Sequence, residues 1–152
     1  MMKSQRDARK HGQFVPKQPL KYVGKYPIVM RSSWERRMSQ WLDSNPSVLE
    51  WSSESIFIHY FDPVTKKNRR YFPDFYVMFK NKDGVLQKYI VEVKPFKETI
   101  PPTNRGKKSK KTKIYEAKTY STNMAKWDAA TGWCRKMGMS FITITEKDLF
   151  GR

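Results

Sequence analysis

Tyr71-Phe-Pro-Asp74-Phe-Tyr-Val-Met-Phe79-Lys-Asn81-Lys-Asp-Gly84-Val-Leu-Gln-Lys88-Tyr-Ile-Val-Glu92-Val-Lys94 is the stretch on which the reading of this chain turns. Two runs rich in β-branched and aromatic residues flank Asn81-Lys82-Asp83-Gly84, a turn signal. A three-residue loop with Gly84 in the left-handed position makes Asn81 face Val85 and sets every later pair in the hairpin. Asp74 then falls opposite Glu92. Side chains alternate along a strand, so Pro73, Phe75, Val77, Phe79, Tyr89, Val91 and Val93 share one face, a core face, while Asp74, Glu92 and Lys94 share the other. A slip of one residue would put Glu92 among the apolar positions. The hydrophobic pattern therefore supports the odd loop independently of the turn chemistry.

Upstream, Ser32 is a candidate N-cap. Trp34, Met38, Trp41 and Leu42 form one apolar stripe of a helix that runs to about Asp43 and is broken by Asn45-Pro46. Ile56–Phe61, Tyr71–Phe79 and Lys88–Lys94 read as a three-stranded meander, with Asp62-Pro63 and the Gly84 loop as its turns. Downstream, a Pro- and Lys-rich connection runs to about Thr112, long enough to be either functional or disordered. A second helix is expected over Lys113–Met137, with Tyr120, Met124, Trp127, Thr131 and Cys134 on its stripe and Gly138 as C-cap. Ser140–Thr145 reads as a last short strand, followed by a turn over Glu146–Phe150. The expected fold is α/β: a central mixed β-sheet, the three-stranded meander plus one later strand, flanked by helices.

The chain has 152 residues and a net charge of +17, a length that suits one domain. Its 38% apolar content is low, but nine Phe, eight Tyr and five Trp provide large side chains for a core. Sixteen of the seventeen net charges lie in three segments: 1–25, 66–70 and 105–118. Clustered Lys and Arg displace counterions from phosphates, whereas scattered charge only solubilises, so the pattern points to a polyanion partner. Residues 1–30 read as a basic N-terminal arm, flexible or draped, and 31–152 as the domain, with a basic insertion at about 95–112. The longest apolar run, Phe75–Phe79, is too short for a membrane span or a secretory signal. The lone Cys134 excludes an internal disulfide, and an intracellular type of protein is expected.

Two carboxylates opposed on one hairpin repel unless a cation or proton lies between them. Oxygen ligands without nearby His or Cys favour Mg²⁺ or Mn²⁺ over zinc. Lys94 beside such a site is suited to positioning or deprotonating a water and to countering charge on a phosphate. Among the other candidates, His59 reads as a packing residue and Cys134 as core. Helical spacing favours core packing for Trp127 and Tyr120 over stacking on bases, and Glu54 stands open between a supporting role and solvent.

Pro73-Asp74 followed by Glu92-Val93-Lys94, with Glu35 on the preceding helix, resembles the PD-(D/E)xK nuclease superfamily. Arg31-Ser-Ser-Trp-Glu35, Trp51-Ser-Ser-Glu54-Ser, Arg70-Tyr-Phe-Pro-Asp74 and Glu92-Val-Lys-Pro-Phe-Lys-Glu-Thr99 are similar to the head-completion nucleases of tailed myophages. The resemblance implies a restriction-endonuclease-like core and a Mg²⁺- or Mn²⁺-dependent deoxyribonuclease without a small-molecule cofactor. It makes Asp74 and Glu92 metal ligands, with the Val93 carbonyl as a third, Glu35 as an accessory ligand, and Lys94 as the catalytic lysine. Glu35 has a second reading, because Ser32-x-x-Glu35 is also a capping box. Arg31, Lys97, Lys107, Lys108, Lys110, Lys111 and Lys126 are the expected DNA contacts. The implied role is processing of packaged DNA before head–tail joining, with phage head, portal or neck proteins as partners. That places the protein in the host cytoplasm during assembly and leaves its presence in the virion open. Two other readings stand beside it. One is a structural DNA-binding joining protein. The other is an end-cleaving nuclease subunit of Tn7-type transposons, which is expected to carry a further C-terminal domain for which this length leaves little room.

Overall fold

The computed structural model describes residues 12–103 and 106–151. In chain order its elements are β1 (Gln13–Phe14), β2 (Ile28–Val29), α1 (Ser33–Ser44), β3 (Val48–Ser53), β4 (Ile58–Asp62), β5 (Lys67–Tyr71), β6 (Phe75–Lys80), β7 (Leu86–Val93), α2 (Lys110–Met137), β8 (Ser140–Ile144) and α3 (Glu146–Leu149). The central sheet has the order β3-β6-β7-β8, with β8 parallel to β7 and the other pairings antiparallel. A parallel neighbour requires a crossover, and α2 makes it.

The β6–β7 hairpin has the expected register: Phe75 pairs with Val91, Val77 with Tyr89 and Lys80 with Leu86. Asn81 N–H donates to the Val85 carbonyl at 3.0 Å, and Gly84 takes φ +78°, the conformation for which glycine carries no Cβ penalty. The expected core face is also seen. Phe75, Val77 and Val91 are buried with Trp51, Met38 and Leu42, and Phe79, Tyr89 and Val93 pack against them.

The first strand of the meander is corrected. The expected Ile56–Phe61 strand lies outside the central sheet, as β4, paired with β5 in a separate two-stranded ribbon. The strand next to β6 is β3, in a stretch read as connection. A register shift between Val48 and Glu50 breaks the two-residue alternation, and Ser52 is buried among apolar neighbours, so the strand carries no clear periodicity. The span read as one strand from Tyr71 to Phe79 is the end of β5 and the start of β6, separated at Phe72-Pro73-Asp74.

α1 begins as read, with the Ser32 hydroxyl accepting from Glu35 N–H at 3.1 Å. Its buried face is Met38, Ser39, Leu42 and Asp43, while Trp41 is exposed. α2 starts about one turn earlier than expected, capped by Ser109, and ends at Gly138 with φ +71°. Its buried stripe is Asn123, Trp127, Ala130 and Cys134, and Thr131 is exposed. Trp127 and Ala130 pack on Ile58, Tyr60 and Tyr71, so α2 clamps the β4–β5 ribbon and covers the sheet face opposite α1.

Of the arm expected over 1–30, residues 1–11 lie outside the described residues. Phe14, Tyr22, Ile28 and Met30 are buried in the same cluster as Trp51. The Asp43 carboxylate receives the backbone N–H groups of Lys17 and Gln18 at 2.8 and 3.0 Å, which ties this segment to α1. The core thus begins well before Arg31.

Candidate active site

Asp74 stands between the ribbon and the central sheet, one step beyond the Phe75–Val91 pair and opposite Glu92. Its Oδ2 accepts from the Val93 N–H at 2.7 Å. Burial drives the Asp74 carboxyl up to about 8, and the Glu92 charge adds to the shift against the Val93 hydrogen bond. Glu92 is buried. It accepts from the Tyr71 hydroxyl at 2.6 Å and faces the Lys94 ammonium at 3.6 Å, yet burial still raises its pKa. The Tyr71 hydroxyl is itself pushed up by burial and by Glu92, so it remains a donor.

Carboxylate oxygens of Glu35, Glu54 and Asp74 lie within 4.8 Å of one another. Glu54 reaches this cluster from a strained position. It follows β3 in the left-handed region at φ +47°, and its N–H donates to the Asp74 carbonyl at 3.0 Å. It also forms an ion pair with Arg31. The Glu35 carboxylate accepts from the Ser32 hydroxyl at 3.2 Å and stays within the acidic cluster, while Ser32 performs its half of the cap.

This donor set fits a hard divalent cation. The carboxylates converge in a partly buried site, one hydrogen bond each to Asp74 and Glu92 does not neutralise them, and neither His nor Cys belongs to the cluster. Glu92 stands just outside the triple, on the side held by Tyr71 and Lys94. Val93 enters through its N–H, which is engaged by Asp74.

The cleft above these groups encloses about 590 Å³ and is lined by Arg31, Glu35, Glu54, Tyr60, Arg69, Arg70, Tyr71, Phe72, Asp74, Glu92 and Lys126. Acid lies at its floor and base around its rim, the arrangement that a phosphodiester backbone over a cation site requires. Lys126 comes from α2, with its ammonium 5.6 Å from the Tyr71 ring centre and 6.0 Å from that of Tyr60. Burial, and then the Lys94 charge, lower its pKa.

Of the expected DNA contacts, Arg31 and Lys126 are in this cleft, and Lys97 lines a neighbouring cavity. Lys107, Lys110 and Lys111 are exposed where α2 begins, whereas Lys108 is held by Glu116 at 3.0 Å and the Thr103 carbonyl at 3.2 Å. Tyr60, Arg69, Arg70 and Tyr71 were not among the candidate site residues. Arg69 and Arg70 belong to the 66–70 charge cluster, so a signal existed. Tyr71 lies in the Arg70–Asp74 stretch that carries the resemblance, whereas nothing local marks Tyr60; both reach the cleft through the ribbon.

Glu35→Gln separates capping from ligation. Gln retains the hydrogen-bonding shape at the helix start but is a poor ligand, so thermal stability without metal is expected to stay within about 0.5 kcal/mol while cleavage falls by about tenfold or more. Full activity with unchanged stabilisation by Mn²⁺ would make Glu35 a helix-start residue only.

Residues 45–146 match a family described as TnsA-like endonuclease N terminal. The chain is also 40% identical over 145 residues to "Head completion nuclease" of Enterobacteria phage T4, covering 91% of this chain and 92% of that protein. No solved structure matches.

Proposed function

The chain belongs to the TnsA-like N-terminal endonuclease family, and from that premise we propose that it is a Mg²⁺- or Mn²⁺-dependent deoxyribonuclease that processes packaged DNA during phage head completion, before head–tail joining. The observation that carries the reading is the opposition of Asp74 and Glu92 on one hairpin, with Lys94 on the same face and a basic rim above. Asp74, Glu92 and Glu35 would hold the cation, with Glu54 an added carboxylate and the Val93 carbonyl within the same strand end. When bound, the cation supplies Lewis-acid polarisation of a phosphate oxygen and lowers the pKa of a bound water.

The chain's own residues do the rest. Lys94 presents an ammonium that orients water and counters charge developing on the phosphate. Tyr71 fixes the Glu92 carboxylate, and Lys126 sets a second, half-buried positive charge across the cleft. Arg31, Arg69 and Arg70 offer planar donors to backbone phosphates. Head, portal or neck proteins are the proposed partners and the host cytoplasm the proposed place of action; no helix among the described residues is long and apolar enough to cross a membrane.

A plasmid nicking assay with Mg²⁺, Mn²⁺ and EDTA tests this function. Cation-dependent conversion of supercoiled DNA is expected, and its absence with every cation would overturn the assignment to this chain acting alone. A transposon role predicts instead that cleavage needs a recombinase partner.

The exposed lysines before α2 are proposed to give duplex affinity rather than chemistry. Neutralising Lys107, Lys110 and Lys111 is expected to weaken all sequences alike and to flatten the salt slope by roughly 0.9 log unit for each phosphate no longer neutralised, up to about 2.7. Titrations between about 50 and 200 mM salt check this. A variant with the parental slope would reassign the segment to protein docking.

A further inference from the structure

Beside the catalytic cleft lies a second cavity of about 330 Å³, between the 95–103 segment and the first half of α2. Tyr115, Glu116, Thr119, Tyr120 and Asn123 enter it from α2, at spacings that put them on one helix face. Lys97, Glu98, Ile100 and Pro102 close the other side. Asn123 is only 5% exposed, and it lines this cavity. A side-chain amide carries both donors and an acceptor, so its place in a cavity wall suits a ligand that both donates and accepts.

The chemistry of the wall narrows that ligand. Glu98 accepts from ring N–H and exocyclic amino groups, Glu116 is already paired with Lys108, and Lys97 offers a positive charge to the adjoining phosphate. Two tyrosines, with Ile100 and Pro102, provide flat apolar surface. This is the combination a nucleobase recognises: stacking on its face and hydrogen bonds along its edge. The cavity also adjoins the chemistry. Glu98 lines it and lines a further opening shared with Glu35, Val93 and Lys94, and Asn123 lies one helical turn before Lys126.

We infer that this cavity receives the base of an unpaired nucleotide next to the scissile phosphate, so that the protein favours frayed or forked DNA ends over continuous duplex. The inference rests on the deoxyribonuclease reading and deepens it by naming a substrate class. Tyr120, which helical spacing assigned to core packing, becomes a stacking platform, and the exposed Tyr115 forms its rim.

The test is binding in EDTA, where cleavage plays no part, to a blunt duplex and to a fork of the same paired length with two unpaired nucleotides, one of them 2-aminopurine. The full chain is expected to prefer the fork by about tenfold, the scale of one stacked base, with quenched 2-aminopurine fluorescence. Asn123→Ala should remove most of that preference and leave blunt-duplex affinity unchanged. Tyr115→Ala, at an exposed position that does not build the core, should also reduce it. Equal binding of fork and blunt duplex by the parent, or a preference kept in both variants, would overturn the pocket. Fork preference without any cleavage in the nicking assay would leave the pocket standing and remove the nuclease reading, whereas no binding to either DNA would remove both.

Discussion

Asp74→Ala and Lys94→Ala are each expected to lower plasmid cleavage by about 10³-fold, while circular dichroism and duplex affinity in EDTA stay near those of the parent. Asp74 is the one carboxylate common to the pair with Glu92 and to the cluster with Glu35 and Glu54, so its loss opens both arrangements at once. Lys94 is partly exposed on the polar face of β7's end and faces Glu92, so its truncation removes charge from the cleft without opening the core. The two effects should not multiply in the double variant, because groups that serve one reaction fail together. Fold is not at stake in either case. The buried neighbours on that hairpin are Phe75, Val77 and Val91, on the opposite face. Cleavage within about threefold of the parent in either purified variant would remove the site assignment.

The second large effect is on stability. Asp74 has a native pKa raised to about 8 from an ordinary value near 3.8, chiefly by burial and then by Glu92, and Glu92 is raised in the same direction by burial. The metal-free native state therefore binds more protons than the unfolded chain between about pH 4 and 8. Its stability should fall as pH rises through that window, by a few kcal/mol in total. A divalent cation replaces the proton, so stabilisation by Mn²⁺ should grow with pH, reaching about 2.7 kcal/mol at a hundredfold excess over Kd. Asp74→Asn makes the signs separable. It should raise metal-free stability at pH 7.5, flatten the pH dependence and abolish the response to Mn²⁺. Thermal denaturation at pH 5.5 and 7.5, with EDTA or Mn²⁺, measures all three. Greater metal-free stability at pH 7.5 than at 5.5 would show that the carboxylates are not held as buried, mutually repelling groups.

The hairpin was legible because each feature that sets it is local. Gly84 fixes the loop and alternation fixes the face, so Asp74, Glu92 and Lys94 come together without reference to the remainder of the chain. Both long helices were legible for the same kind of reason, with Ser32 and Gly138 marking ends and apolar spacing marking length. The first strand of the meander was not. Ile58–Asp62 has the better strand composition, but its partner lies a tight turn away at Lys67–Tyr71, and local closure takes it out of the central sheet. Val48–Ser53, with a bulge and a buried serine, reaches β6 only across the inserted ribbon.

The same division runs through the site. Sequence alone brought the paired carboxylates and the lysine to one face and pointed to oxygen ligation and a polyanion partner, since these readings follow from residue type and a period of two. Tertiary structure alone decided that Glu54 joins Glu35 and Asp74, that Tyr71 anchors Glu92, that Lys126 crosses from α2, and that Asn123 faces a cavity. Tertiary structure also carried Phe14, Tyr22, Ile28 and Met30 from an apparent arm into the core around Trp51. The physical reason is common to all of these. Hydrogen-bond ladders and caps act between neighbours in the chain, whereas burial of apolar surface has no direction and no range in sequence, and the groups it brings together are fixed only when the layers close.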